Sequence, residues 1–186
     1  FSQDGKYVVT SSNDRTSKIV DIETDIVKAI IPHQGPVISA QFSRDGRYAL
    51  TVGKEETPKI TEVATGKVKY IFNYREPVFS ANFSPDGRSI ILALPDKTSK
   101  IIDVETGHEK ARFYNNEEVK SAQFSHDGRF VVTSAYGRTS KIINVEEAVN
   151  PKQYSYKDAF SNKLSSKEIH RLLPFSLNYL LNECTD

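Results

Sequence analysis

The sequence predicts an all-β fold assembled from repeated four-stranded antiparallel units, about four of them in a row, and three observations carry that prediction. A five-residue phrase recurs as Phe1-Ser-Gln-Asp-Gly5, Phe42-Ser-Arg-Asp-Gly46, Phe83-Ser-Pro-Asp-Gly87 and Phe124-Ser-His-Asp-Gly128, each copy 41 residues after the last. An apolar run follows every copy: Tyr7-Val-Val-Thr10, Tyr48-Ala-Leu-Thr51, Ser89-Ile-Ile-Leu92 and Phe130-Val-Val-Thr133. A second block keeps the same interval: Asp14-Arg-Thr-Ser-Lys-Ile-Val-Asp21, Glu55-Glu-Thr-Pro-Lys-Ile-Thr-Glu62, Asp96-Lys-Thr-Ser-Lys-Ile-Ile-Asp103 and Gly137-Arg-Thr-Ser-Lys-Ile-Ile-Asn144.

Each unit is then read in order. Asp-Gly between two β-rich runs signals a hairpin, because glycine takes the positive φ that a tight turn needs. In the second unit an inner strand ends at the Phe-Ser pair, and further strands follow near 48–53, 58–63 and 68–72; the other units are offset by 41. Apolar residues stand at both parities, as in Ile101, Ile102 and Val104. Such strands suit sheets covered on both faces.

These phrases, the Asp-x-Thr-x-Lys-Ile-x-Asp block and the period of 41 resemble the WD-repeat family over residues 1–146. The resemblance implies a β-propeller, in which four-stranded blades are repeated radially. The repeats diverge from the family pattern. The chain has no tryptophan, and Val20, Thr61, Ile102 and Ile143 take the position of the family's tryptophan. In the family that tryptophan joins an Asp, a Ser or Thr and a His in a hydrogen-bonded tetrad. By position the Asp role falls on Asp14, Glu55, Asp96 and Gly137, and the His role on His33, with Tyr74 and Asn115 at the later equivalents. Without the indole donor the full tetrad cannot form, so rigidity must rest more on apolar packing.

The last repeat loses the turn seen at Glu105-Thr-Gly107 and runs into Asn150-Pro151. By resemblance, an outer strand for this blade comes from upstream of Phe1; Gln153-Tyr-Ser-Tyr156 is the alternative source. A ring of seven such blades needs roughly 290 residues. The start within a motif and the lack of any methionine predict a fragment whose ring is completed by missing blades of the same chain or by another chain.

Residues 1–149 are thus assigned to the repeats and 150–186 to a short α-helical C-terminal tail. Ser165 and Glu168 have capping-box spacing, with Ile169, Leu172 and Leu173 on one helical face. Pro174 interrupts, and Leu177, Leu180 and Leu181 resume the pattern. This face either packs on the propeller, opens a further domain or docks in a partner groove.

Composition narrows the functional classes. With 25 basic and 24 acidic residues the net charge is +1, which gives no footing for a nucleic-acid or acidic-lipid partner. One cysteine, Cys184, excludes an intrachain disulfide, and a reducing, cytoplasmic compartment is the expectation. No stretch approaches the roughly 18 apolar residues of a membrane span.

No catalytic residue, cofactor site or metal site is expected, because no set of nucleophile, base, paired carboxylates or ligands has converging spacing. His33, His108, His126 and His170 are scattered, with His108 and His126 in turns open to solvent. Asp4, Asp45, Asp86 and Asp127 each precede a turn glycine and are assigned to local backbone bonding. Lys18, Lys59, Lys100 and Lys141 recur on one strand, and their heads are expected in water above apolar stems.

The resemblance implies a non-catalytic scaffold that binds proteins or peptides on its top face. The corresponding positions flank the Val that opens the inner strand and precede the turn Asp: Pro36, Ile38, Lys54, Pro77, Phe79, Pro95, Glu118, Lys120 and Tyr136, with Asn13 in the partial first blade. The candidate partner-binding set is Phe79, Tyr136, Ile38, Lys54, Lys120 and Glu118, led by the aromatics, which commonly anchor protein contacts. The alternative is a regulatory propeller module of a larger enzyme or signalling protein whose catalytic domain lies elsewhere.

Overall fold

A computed structural model describes residues 1–54, 57–72, 77–137 and 139–149. Fourteen strands are defined there and grouped in four antiparallel sheets, consistent with part of a β-propeller. The first sheet holds β1 (Tyr7–Val9), β2 (Thr16–Asp21) and β3 (Val27–Pro32). The second holds β4 (Val37–Phe42), β5 (Tyr48–Gly53), β6 (Lys59–Glu62) and β7 (Val68–Ile71). In the third are β8 (Ser80–Phe83), β9 (Ser89–Ala93), β10 (Thr98–Asp103) and β11 (Glu109–Tyr114). The fourth has β12 (Val119–Phe124), β13 (Phe130–Ala135) and β14 (Thr139–Asn144), followed by the short helix α1 (Val145–Val149). Among the described residues the first sheet therefore lacks an inner strand and the fourth an outer one.

The Phe-Ser-x-Asp-Gly phrase makes one turn four times. Ser2, Ser43, Ser84 and Ser125 each donate an Oγ hydrogen bond to the Asp two residues on, at 2.6 Å. The same Oγ accepts the amide of the next strand's first residue: Tyr7, Tyr48, Ser89 or Phe130. The turn glycines Gly5, Gly46, Gly87 and Gly128 have φ between 70° and 73°, where a Cβ would be strained. The Asp side chains therefore serve the turn, as their position before glycine implies.

Both faces of the middle sheets are covered. Every residue of β5 and β9 is buried, as the apolar residues at both parities require. One core lies between the second and third sheets, where Leu50, Val52, Ile60 and Phe72 meet Val78, Ile90, Leu92 and Ile102. Another joins the third and fourth through Ile91, Ile101 and Phe113 against Val119, Phe124 and Val131, with Val145 and Ala148 of α1 packed beside it. A smaller core joins Ile19, Ala29 and Ile31 to Ala49 and Val63.

Polar side chains register one sheet against the next. Gln41 donates from Nε2 to the Ala81 carbonyl at 2.9 Å, and Asn82, one repeat later, donates from Nδ2 to Ala122 at 2.8 Å. Gln123 is next in this series, and its side-chain amide has no hydrogen-bond partner among the described residues. Lys59 and Lys141 reach back in the same way, donating to the carbonyls of Pro32 and Tyr114 at the end of the preceding outer strand, at 2.6 and 2.8 Å. The expectation of solvated lysine heads is corrected here: Lys59 and Lys100 are 9% and 8% exposed, because the strand they stand on is covered by the preceding sheet.

Of the four substitutes for tryptophan, Thr61 and Ile102 are buried and Val20 and Ile143 half-buried. The Thr61 hydroxyl has no partner among the described residues. At the positions where the resemblance implies a tetrad, two side-chain pairs form. His33 Nε2 lies 3.0 Å from Thr51 Oγ1, and Thr133 Oγ1 donates to Asn115 Oδ1 at the same distance. Asp14 and Asp96 turn to their own loops, each accepting from the backbone and hydroxyl of the Thr two residues on. The expected tail helices and Gln153–Tyr156 lie outside the described residues.

Candidate functional site

Inner strands open with a register shift that determines which side chains reach the rim. Between Val37 and Ser39, and again between Val119 and Ser121, one extra residue faces the partner strand, a β-bulge that re-aims the inserted side chain. The inserted residues are Ile38 and Lys120. Phe79 occupies the same repeat position just ahead of β8, its amide donating to the Ala93 carbonyl at 2.9 Å.

A second set of rim positions follows the strand that pairs with the inner one. Lys54 comes directly after β5, with its amide donating to Pro36 at 2.6 Å. Tyr136 comes directly after β13, with its amide donating to Glu118 at 3.0 Å. These bonds tie the loop before each inner strand to the turn after its neighbour. Gly35 belongs to the same contact: a Cβ there would lie 2.7 Å from the Lys54 carbonyl oxygen.

Four of the six candidate residues converge at the seam between the third and fourth sheets. The Lys120 ammonium lies 3.3 Å from the centre of the Phe79 ring and 4.0 Å from that of Tyr136. Both distances are well inside cation–π range. Glu118 Oε2 stands 3.4 Å from the same nitrogen and completes the charge balance. Tyr136 is 56% exposed, whereas Phe79 and Lys120 are half-buried, so the clamp opens toward solvent on the Tyr136 side. Beside it, Lys97 pairs with Glu117 at 3.5 Å and donates to the Asn116 carbonyl.

Ile38 and Lys54 are exposed on the second sheet, and no hydrogen bond, ion pair or ring contact joins them to this group among the described residues. Pro36 and Pro77 are the repeat equivalents of Glu118, and Pro95 that of Tyr136, so the acid–aromatic combination occurs only at the last seam. The sequence pointed to these positions through the repeat. It did not show that three side chains from two sheets would enclose one ammonium, because that requires the bulge at Lys120.

The end of β5 away from Lys54 carries a different cluster. Tyr48 donates to Glu105 Oε2 at 2.9 Å, Lys69 lies 3.0 Å from both Tyr48 Oη and Glu105 Oε2, and Tyr70 donates to the Glu105 carbonyl at 2.7 Å. Lys69 and then the Tyr48 hydroxyl hold the Glu105 carboxyl below its ordinary range. The cluster couples the second sheet to a turn of the third, with Gly107 directly against the Tyr70 ring. Its polar groups all bond one another, which makes it a lock between sheets.

Among the described residues no three His, Cys, Asp or Glu side chains gather as a metal site would require. His108 and His126 are exposed in turns, as expected. No described helix is long and apolar enough to cross a membrane.

A family model for the WD domain, G-beta repeat, matches residues 1–21 and 100–144. Those stretches hold the first and last copies of the Thr-Ser-Lys-Ile strand and, in the second match, the whole of β12 and β13 with the clamp residues Glu118, Lys120 and Tyr136. No curated protein matches the chain.

Proposed function

We propose that this chain, in which residues 1–21 and 100–144 match the model of WD repeats that generally mediate protein–protein scaffolding without catalysis, is a non-catalytic platform that binds a protein or peptide at its rim. The observation that supports this most is the convergence of Phe79, Lys120, Tyr136 and Glu118 at one seam, with Tyr136 exposed. Aromatic side chains at a partly desolvated rim, bordered by charge, have the composition of an interface anchor. Ile38 and Lys54 extend the same rim and would contribute apolar and cationic contacts at its edge. The fold alone does not supply the partner.

The test is capture of binding proteins by the natural full-length protein, comparing wild type with Phe79→Ala and Tyr136→Ala. The rim reading requires a discrete partner that is lost in either variant while circular dichroism stays native. Capture that persists in both would place the interface elsewhere.

The platform also needs more blades. Among the described residues the first sheet leaves β1 without an inner neighbour, and Phe130 and Ile142 on the fourth sheet are only half-buried, although their equivalents Tyr48 and Ile60 in the second sheet are fully covered. Further blades, from the same chain or another, would cover these faces and receive the Gln123 amide. Residues 1–186 alone should then self-associate with rising concentration. Sedimentation as a monodisperse monomer would oppose this reading.

A further inference from the structure

We propose that Phe79, Tyr136 and Glu118 form a receptor for a lysine side chain of the protein partner, and that Lys120 fills it while the partner is absent. The proposal rests on the rim reading above and adds the chemistry of the ligand.

Two ring faces and one carboxylate converge on a single nitrogen, at 3.3 Å, 4.0 Å and 3.4 Å. That is the donor set an ammonium ion requires: π faces supply partial negative charge and Glu118 a full one, in surroundings half withdrawn from water. The group that fills it is a primary ammonium, so the fit of that chemistry is directly visible. Arginine would need to seat a broad planar guanidinium where a compact ammonium now rests, so lysine is the favoured cation.

Exchange with a partner's lysine is close to isoenergetic. Every contact that Lys120 gives up is regained by the incoming ammonium, and the released Lys120 head returns to water, where a lysine is at home. The route is open, since Tyr136 is 56% exposed and the Lys120 side chain 32% exposed. Lys120 itself is particular to this repeat. At the same repeat position stand Ile38 and Phe79, neither of which carries a cation that could fill the site. The lysine thus acts as an internal competitor, which lowers the apparent affinity of the clamp by the fraction of time it remains closed.

The experiment uses the full chain and a short, otherwise uncharged peptide bearing one lysine, blocked at both ends, with fluorescence anisotropy as readout. Wild type should bind it weakly, and Lys120→Ser should bind it about tenfold more tightly, as expected if the clamp is open roughly a tenth of the time. Acetylation of the peptide lysine should abolish the gain, as should adding Phe79→Ala to Lys120→Ser. Circular dichroism of each variant, and ring-proton shifts of Phe79 and Tyr136 on titration, establish that the clamp is folded and is the group responding. Equal binding of the lysine and acetyl-lysine peptides by Lys120→Ser, absence of binding, or preference for an arginine peptide would overturn the proposal. If Lys120→Ser gains nothing while Phe79→Ala still abolishes partner capture, the lysine receptor falls and the rim platform stands. If the lysine peptide behaves as stated but partner capture ignores Phe79 and Tyr136, the platform reading falls instead.

Discussion

His33 and Thr51 meet across the seam between the first and second sheets, Nε2 to Oγ1 at 3.0 Å, with both residues buried. His33 stands where the WD-repeat resemblance places the His of a polar tetrad, and its contact with Thr51 fixes the loop before β4 against the middle of β5. Replacing Thr51 by Val keeps the shape and leaves a buried imidazole nitrogen without that partner. The expected loss is about 1–3 kcal/mol in urea unfolding, the usual cost of a buried polar group left unpaired. An unchanged midpoint would show that the pair contributes nothing.

Thr61 poses the opposite case. It is fully buried where the family carries an indole, and its hydroxyl has no partner among the described residues. Thr61→Val exchanges that hydroxyl for a methyl of similar volume. Stability should rise by about 1 kcal/mol, seen as a melting temperature higher by roughly 2–4 °C for a domain of this size. A fall would mean that the hydroxyl is satisfied by water.

The strand plan was legible because its signal is local and repeated. An Asp-Gly turn beside an apolar run fixes a hairpin wherever it occurs, and β5 spans the expected residues 48–53. The rim positions were legible through the same period. Side-chain destinations were not, because they depend on what covers each strand. Lys59 reads as a solvated lysine until the first sheet is laid over it, and Lys120 reads as an ordinary strand residue until the bulge at Val119 and Ser121 turns it between two rings. The expected rim set includes Ile38 and Lys54 because the period treats all repeats alike, whereas the cation–aromatic group depends on residue types present only at the last seam.

Two glycines separate backbone strain from steric contact. Gly46 has φ of 70° with open space where a Cβ would stand, so Gly46→Ala should cost about 1–2 kcal/mol through its left-handed conformation alone. Gly35 has no such φ, but an added Cβ would approach the Lys54 carbonyl oxygen to 2.7 Å, and two backbone segments would have to move apart. Gly35→Ala should destabilise by about 1–3 kcal/mol and should also shift the amide resonance of Lys54, whose bond to Pro36 holds this rim. A Gly35→Ala variant with wild-type stability and an unmoved Lys54 amide would contradict the close approach.

Acid should weaken the fold through the turn carboxylates. The Ser2 and Ser125 hydroxyls, and then the amides of Lys6 and Arg129, hold Asp4 and Asp127 below their ordinary range. At Asp86 burial pushes the carboxyl up, but the Ser84 hydroxyl, the Arg88 amide and the charges of Arg88 and Lys110 together outweigh it, and the net direction is down. A carboxyl with a lowered pKa in the folded state contributes stability above its unfolded value of about 3.9. That contribution disappears as pH falls through the unfolded value toward the folded one. Ser125→Ala removes the hydroxyl that stabilises ionised Asp127, and also the acceptor for the Phe130 amide. The variant should therefore be less stable than wild type at pH 7, with the gap narrowing between about pH 5 and pH 2 as Asp127 becomes protonated in both proteins. Urea unfolding across that range measures the gap directly, and a gap independent of pH would assign the whole effect to the lost backbone acceptor and none to the carboxylate.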